Sequence, residues 1–179
     1  VKQTRLVIAD GLSGMESSVL KAFAGAEFQK CVVHKMRSIM LTVRPKDKLA
    51  VAEDLKNVFD NFDALATLEK ALQKVETFCL KWEGKYSGIR QHFREGTREY
   101  YFTYIKFPPE VRRLIYTNNS IENLNRSIRK GTKNKLSFEN PETLLDYVFI
   151  IIKEFESKNW SRYPVHQFSF IHTDQTQLS

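Results

Sequence analysis

The sequence predicts an α+β fold, mostly α, in which one short βαβ unit precedes a long all-helical stretch. Three observations predict it. Two short apolar runs, in "TRLVIADG" and "AEFQKCVVH", flank one amphipathic segment near the start. From Lys35 to Phe107 the apolar residues recur only at helical spacing. Two further segments, "FPPEVRRLIY" and "PETLLDYVFIIIKEF", each open on proline, which suits the first turn of a helix.

The first run places Leu6, Val7, Ile8 and Ala9 together and ends in Asp10-Gly11, which reads as a buried strand feeding a tight turn. Ser13 and Glu16 form the S-x-x-E pattern of a capping box. The following helix is expected to pack Met15, Val19, Leu20 and Phe23 and to stop at Gly25. The second run is a strand candidate extending to His34. Strand, helix and strand within about 30 residues make a βαβ unit, whose strands are parallel.

Beyond His34 the chain reads as helices. One stripe holds Leu49, Ala52, Leu55, Val58 and Phe59. Another holds Leu65, Leu68, Leu72, Val75, Phe78 and Leu80. Such stripes are core faces far more often than cofactor sites. The segments expected are therefore 1–34 (βαβ), 35–107 (helical), 108–160 (closing helices) and 161–179, a polar tail in which loose structure is expected.

Composition narrows the function. Hydrophobic residues make up 42% of 179, including 13 Phe, 7 Tyr and 2 Trp, which is enough for a packed core. No apolar run approaches the ~18 residues of a membrane span, and no signal-peptide pattern is present. Two cysteines, Cys31 and Cys79, make no disulfide framework, so a reducing cytoplasmic setting is expected. Lys and Arg outnumber acids 28 to 21, for a net charge of +7, which favours a polyanionic partner. The excess is concentrated: Arg126, Arg129, Lys130, Lys133 and Lys135 follow one another with no intervening acid.

A lone carboxylate, Glu122, stands at the entrance to that basic run, in "YTNNSIENLNRSIRKGTKNK". On a helix over 117–130, Ile121, Leu124 and Ile128 share a stripe expected to bury. Asn118, Glu122, Asn125 and Arg129 share the neighbouring one. An i,i+4 pair with Arg126, worth about 0.3–0.5 kcal/mol, would explain Glu122 without any chemistry. Asp10 offers another explanation. It ends a strand expected to be parallel, where ligands of α/β sheets gather. A strand-end Asp and a helix Glu can together hold a hard divalent cation. In such a site the cation serves phosphodiester chemistry, and the basic run holds phosphates. Asp-Gly is also simply a common turn pair.

The pieces "IADGLSG", "KCVVHKMRSIM" and "FPPEVRRLIYTNNSIENLNRSIRK", in that order across residues 4–160, resemble the Mutator-type transposases of bacterial insertion sequences. The resemblance implies a ribonuclease-H-like core, here partial, interrupted by the all-helical insertion. It implies a D-D-E metal triad using Mg²⁺ or Mn²⁺, with Asp10 matching the second Asp and Glu122 the Glu, 122 − 10 = 112 positions apart. Cys31 and His34 match the family's C-x-x-H. One Cys and one His are at most half of a tetrahedral zinc site, so a buried thiol and a histidine packed near the site are the expectation. Asn118, Asn119 and Asn125 are expected to support the site. Only nine residues precede Asp10, too few for the strand bearing the first Asp, so the chain reads as the C-terminal part of such a catalytic domain and is expected to be silent alone.

The function expected is DNA cleavage and strand transfer in transposition of an insertion sequence. Expected partners are transposon ends, target DNA and further copies of the chain, at the bacterial nucleoid. A non-catalytic helical nucleic-acid-binding module would need the basic run but neither carboxylate. A helical scaffold would need only a solvated basic face.

Overall fold

A computed structural model describes residues 4–160 except Asn134 and Leu136, with backbone alone at Asn119, Ser120, Asn159 and Trp160. The expectations for the tail and for the Asn119 side chain lie outside these described residues. The chain forms two compact units, Val1–Asn118 and Asn119–Ser179.

In the first unit, β1 (Leu6–Ala9) and β2 (Glu27–Lys30) pair in parallel, Leu6 opposite Glu27 and Ala9 opposite Lys30. Between them runs α1 (Met15–Ala22). The βαβ unit is as expected, but its details differ. Ser13 does not cap α1. Gly14 holds the N-cap position at φ 77°, a left-handed conformation that glycine adopts without a Cβ penalty. Its carbonyl accepts from the Ser17 and Ser18 hydroxyls. Glu16, freed from capping, reaches Lys30 Nζ at 3.1 Å. Of the face expected to pack, Val19 is buried, whereas Leu20 and Phe23 are exposed.

The second strand is shorter than its apolar run. It stops at Lys30, and Cys31 is the N-cap residue of α2 (Val32–Thr42), so Cys31 and His34 stand at the start of a helix rather than on a strand. Two valines favour a strand locally, but here tertiary packing overrides that preference, and Val32 is fully buried in the helical core.

The outer edge of β2 is occupied. The Thr103 hydroxyl donates to Phe28 O at 2.7 Å, and Gln29 Nε2 donates to Lys30 O at 2.7 Å. Buried Gln29 also donates to Tyr101 O and accepts from Tyr104 N. Unpaired groups on both sides of so small a sheet would be the simplest expectation. Instead, side chains satisfy the β2 carbonyls that face away from β1.

The helical stretch follows as α3 (Lys48–Phe59) and α4 (Leu68–Glu83). Leu55, Val58, Phe59, Val75 and Phe78 are buried as expected, but the flanking leucines are not. Val51, Leu55, Val58 and Phe59 bury from α3, and Ala71, Val75, Phe78, Cys79 and Trp82 bury from α4. Leu49, Leu65 and Leu80 are exposed. Leu65 lies before the helix begins, because Thr67 caps α4 by accepting from Lys70 N at 3.2 Å. After Glu83 the chain runs through short 3₁₀ turns rather than a long helix, and these deliver Ile89, Phe93, Tyr101, Phe102 and Tyr104 to the core. The Tyr104 hydroxyl donates to Phe59 O at 2.8 Å, which lets a phenol be fully buried.

Pro109 opens α5 (Pro109–Ile115) as the sequence suggests. Buried Arg112 on this helix donates to Phe107 O and Asp63 O, at 2.8 and 2.6 Å. Tyr116 O then accepts from Val32 N at 3.1 Å. The segment after α5 is thereby fastened to the N-terminus of α2, whose first amides lack helical partners.

The second unit is built on α6 (Asn119–Lys133) and α7 (Pro141–Phe155). Asn140 caps α7, accepting from Thr143 N at 2.8 Å. The two helices meet closely at Gly131, where a Cβ would lie 2.5 Å from Ile151 Cδ1. Ile121, expected to bury, is 52% exposed. Among the described residues no helix is long and apolar enough to cross a membrane.

Candidate active site at the end of the sheet

Asp10 follows the last residue of β1, where the strand's carboxyl end opens to solvent. Its side chain is 45% exposed. Oδ1 accepts from Asn118 Nδ2 at 2.9 Å, and His34 Nδ1 lies 3.0 Å from the same oxygen. Asn118 Oδ1 in turn accepts from the Cys31 thiol at 2.9 Å, and Thr117 Oγ1 lies 3.4 Å from that sulfur. The amide is thus held at both ends, which fixes which of its atoms faces the carboxylate.

Local structure explains the assembly. Cys31 and His34 are three apart, so the helical start of α2 puts both on one face, beside the end of β1. The Tyr116–Val32 hydrogen bond carries Thr117 and Asn118 to the same place. Ligand-capable atoms of Asp10, Cys31 and His34 all fall within 4.8 Å of one another.

This donor set can be tested against a hard divalent cation. Such a cation prefers carboxylate oxygen and water. Asp10 fits, because both contacts above use Oδ1 and the carboxylate has a second oxygen. Cys31 does not, since it is fully buried and its S–H is committed to Asn118. It is a support for Asp10 through the amide, as is Asn118 itself.

Spacing alone gave no sign of several neighbours. Tyr101, from a 3₁₀ turn far along the chain, sets its hydroxyl against the Asp10-Gly11 turn. A Cβ on Gly11 would lie 2.9 Å from that oxygen. Burial above all, and then the nearby Glu16 carboxylate, pushes the Tyr101 phenol up to about 12, so it is a hydrogen-bond donor at neutral pH. Lys35 Nζ sits 4.8 Å from the Tyr101 ring centre and donates to His92 O at 2.7 Å. Burial, then the charge of Lys30, brings Lys35 down to about 8.

The remaining candidates lie in the second unit. Glu122 is in the first turn of α6, the acid end favoured by the helix dipole. Arg126, Arg129, Lys130 and Lys133 follow on the same helix, and all four are exposed, as is Asn125. Arg126 and Lys130 line a groove of about 590 Å³ with Asn123, Glu154 and Lys158. Lys135 is exposed but already engaged, its ammonium 4.5 and 5.2 Å from the Tyr147 and Phe138 ring centres.

The strand-end carboxylate is thus supported from the start of α2, and a basic helix follows later in the chain. Residues 1–162 match the family model for "Transposase, Mutator family", and the chain belongs to that family. It is 30% identical over 162 residues to the transposase for insertion sequence element IS905 of Lactococcus lactis, covering 90% of this chain and 40% of that protein. It is 31% identical over 159 residues to the transposase for ISRM3 of Rhizobium meliloti, covering 89% and 38%. With the transposase for IS1201 of Lactobacillus helveticus the figure is 28% over 150 residues, covering 84% and 39%. The chain therefore spans about two fifths of the length of these relatives.

Proposed function

We propose that this chain carries part of the catalytic centre of an insertion-sequence transposase, with DNA as substrate and Asp10 and Glu122 as ligands of one divalent cation, Mg²⁺ or Mn²⁺. The observation that carries the reading is the bracing of Asp10. A carboxylate at a strand end, half exposed yet fixed by the Asn118 amide with His34 Nδ1 3.0 Å away, is prepared to bind something from solvent. A simple turn residue needs no such support. Membership of a transposase family supports cutting and rejoining of DNA as the reaction class, and the small parallel sheet is compatible with a ribonuclease-H-like core.

Each residue then has a task. When bound, a divalent cation supplies a Lewis acid that eases formation of the attacking oxyanion and departure of the leaving one. Asn118 keeps the Asp10 carboxylate in one orientation, and Cys31 keeps Asn118 in one orientation. Gly11, lacking a Cβ, admits the Tyr101 hydroxyl to the strand-end turn. Arg126, Arg129, Lys130 and Lys133 neutralise backbone phosphates, with Lys135 in a lesser role because its ammonium already rests on two rings.

Titrating the 179-residue chain with Mn²⁺ and following the free-ion electron-paramagnetic-resonance signal tests the reading. One Mn²⁺ site is expected in the chain. Asp10→Asn and Glu122→Gln should each abolish it, whereas Cys31→Ser should keep it. Unchanged binding in both carboxylate variants would overturn the assignment.

A further inference from the structure

We propose that Tyr101 and Lys35 form a phosphodiester-binding pair beside Asp10, holding a DNA phosphate next to the one that reacts. The proposal rests on DNA being the substrate, and it assigns a contact outside the basic helix. Everything it uses lies in the first unit.

The hydroxyl of Tyr101 is at the right edge of the sheet. It comes so close to Gly11 that any Cβ there would meet it at 2.9 Å. The side chain is packed tightly, with the residue 6% exposed, so the hydroxyl is held in place rather than swinging freely. Rigid placement of a donor is what a binding site for a phosphate oxygen requires.

Lys35 brings charge to the same ring. Its ammonium has three donors, and one goes to His92 O at 2.7 Å. Among the described residues no carboxylate pairs with it. Lys30 differs: its ammonium, 5.9 Å from the same ring centre, is bound to Glu16 at 3.1 Å and its side chain is only 7% exposed. The two lysines thus bring two positive charges to one ring, and only one of them is matched by an acid. A partly buried, unmatched cation costs free energy, and an anion from outside would offset that cost. A phosphodiester suits the pair well, because it carries one negative charge and presents oxygens that accept from both phenol and ammonium.

The test separates the two residues by the kind of contact each makes. The 179-residue chain is titrated into a short fluorescein-labelled DNA duplex, and anisotropy is read over a series of KCl concentrations. Lys35→Gln removes a charge, so the log–log salt slope should fall by about 0.9. Lys35→Arg should restore the slope, which a merely structural lysine would not require. Tyr101→Phe removes a donor but no charge, so binding should weaken about tenfold at low salt with the slope unchanged. Near-ultraviolet circular dichroism checks that each variant keeps its fold. If Lys35→Gln and Tyr101→Phe both bind as the unmodified chain does, the pair is overturned. If Arg126→Ala, Arg129→Ala and Lys130→Ala still weaken binding in that case, the DNA reading survives it. If the unmodified chain shows no salt-dependent binding, both readings fall together.

Discussion

Asn118 Nδ2 donates to Asp10 Oδ1 at 2.9 Å, joining residues 108 positions apart in the chain. The contact is one link of a relay that starts at the Cys31 thiol, so the carboxylate's orientation depends on a residue that never touches it. Asn118→Ala should therefore weaken Mn²⁺ binding by about tenfold or more, the usual effect of losing a support behind a metal ligand. Cys31→Ala should have a smaller effect in the same direction, because the amide remains but is free to turn. Equal Mn²⁺ affinity in all three proteins would show that the relay does not prepare Asp10.

Gly11 and Tyr101 should be coupled energetically. A methyl group at Gly11 would collide with the phenol oxygen, and overpacking of this kind costs about 1–3 kcal/mol. Gly11→Ala should lower the urea midpoint of the first unit, and much of that loss should disappear in a Tyr101→Phe background. A double-mutant cycle measures the coupling; additive effects would mean that the turn yields and the ring does not.

Acid stability should depend on Asp47. Lys85 and Tyr86 both donate to its carboxylate at 2.6 Å, tying the start of α3 to the end of α4. These hydrogen bonds, that from Lys85 first, hold its carboxyl below the ordinary 3.8. The stabilisation is complete above the unfolded value and is lost as pH falls through the lower folded value. Asp47→Asn should thus be less stable than the unmodified chain near neutral pH, with the difference shrinking below about pH 4. Fluorescence of Trp82 during urea unfolding, in a Trp160→Phe background, reports it. A difference that persists undiminished into strong acid would contradict the assignment.

The basic helix should govern long-range attraction to nucleic acid. Replacing Arg126, Arg129 and Lys130 with alanine should reduce the salt slope of duplex binding, by up to about 0.9 for each phosphate left without its cation. Lys135→Ala should change it less, since that ammonium already lies against Tyr147 and Phe138. An unchanged slope in the triple variant would place the DNA-binding surface elsewhere.

The sequence made some of this architecture legible. The run Leu6–Ala9 ending in Asp10-Gly11, and the proline-led starts of α5 and α7, carry their signals within a few residues. The position of Asp10 at a strand end was legible for the same reason, whereas the amide that contacts it was not. Val32 and Val33 misled the reading because local preference favours a strand, while the helix they enter is fixed by the distant Tyr116 carbonyl. Ser13 offered a good cap, but Gly14 could take the left-handed turn at lower cost. Tyr101 and Lys35 were invisible, because nothing in a spacing pattern says which aromatic of a long helical stretch will fold back over a strand-end turn.

The stitching of Thr103 and Gln29 onto β2 gives the small sheet a direction. One flank, that of β2, is closed by Thr103 from the helical stretch and by the side chain of β2's own Gln29, so a strand docking there would have to displace both. Among the described residues no strand pairs with the outer flank of β1, whose four residues are all only half-buried. A further strand added to this sheet would meet less obstruction at β1 than at β2. If it runs parallel, its last residue lands next to Asp10. Among the described residues the small sheet is asymmetric in this sense: side chains close the flank away from the carboxylate, and no strand pairs with the flank beside it.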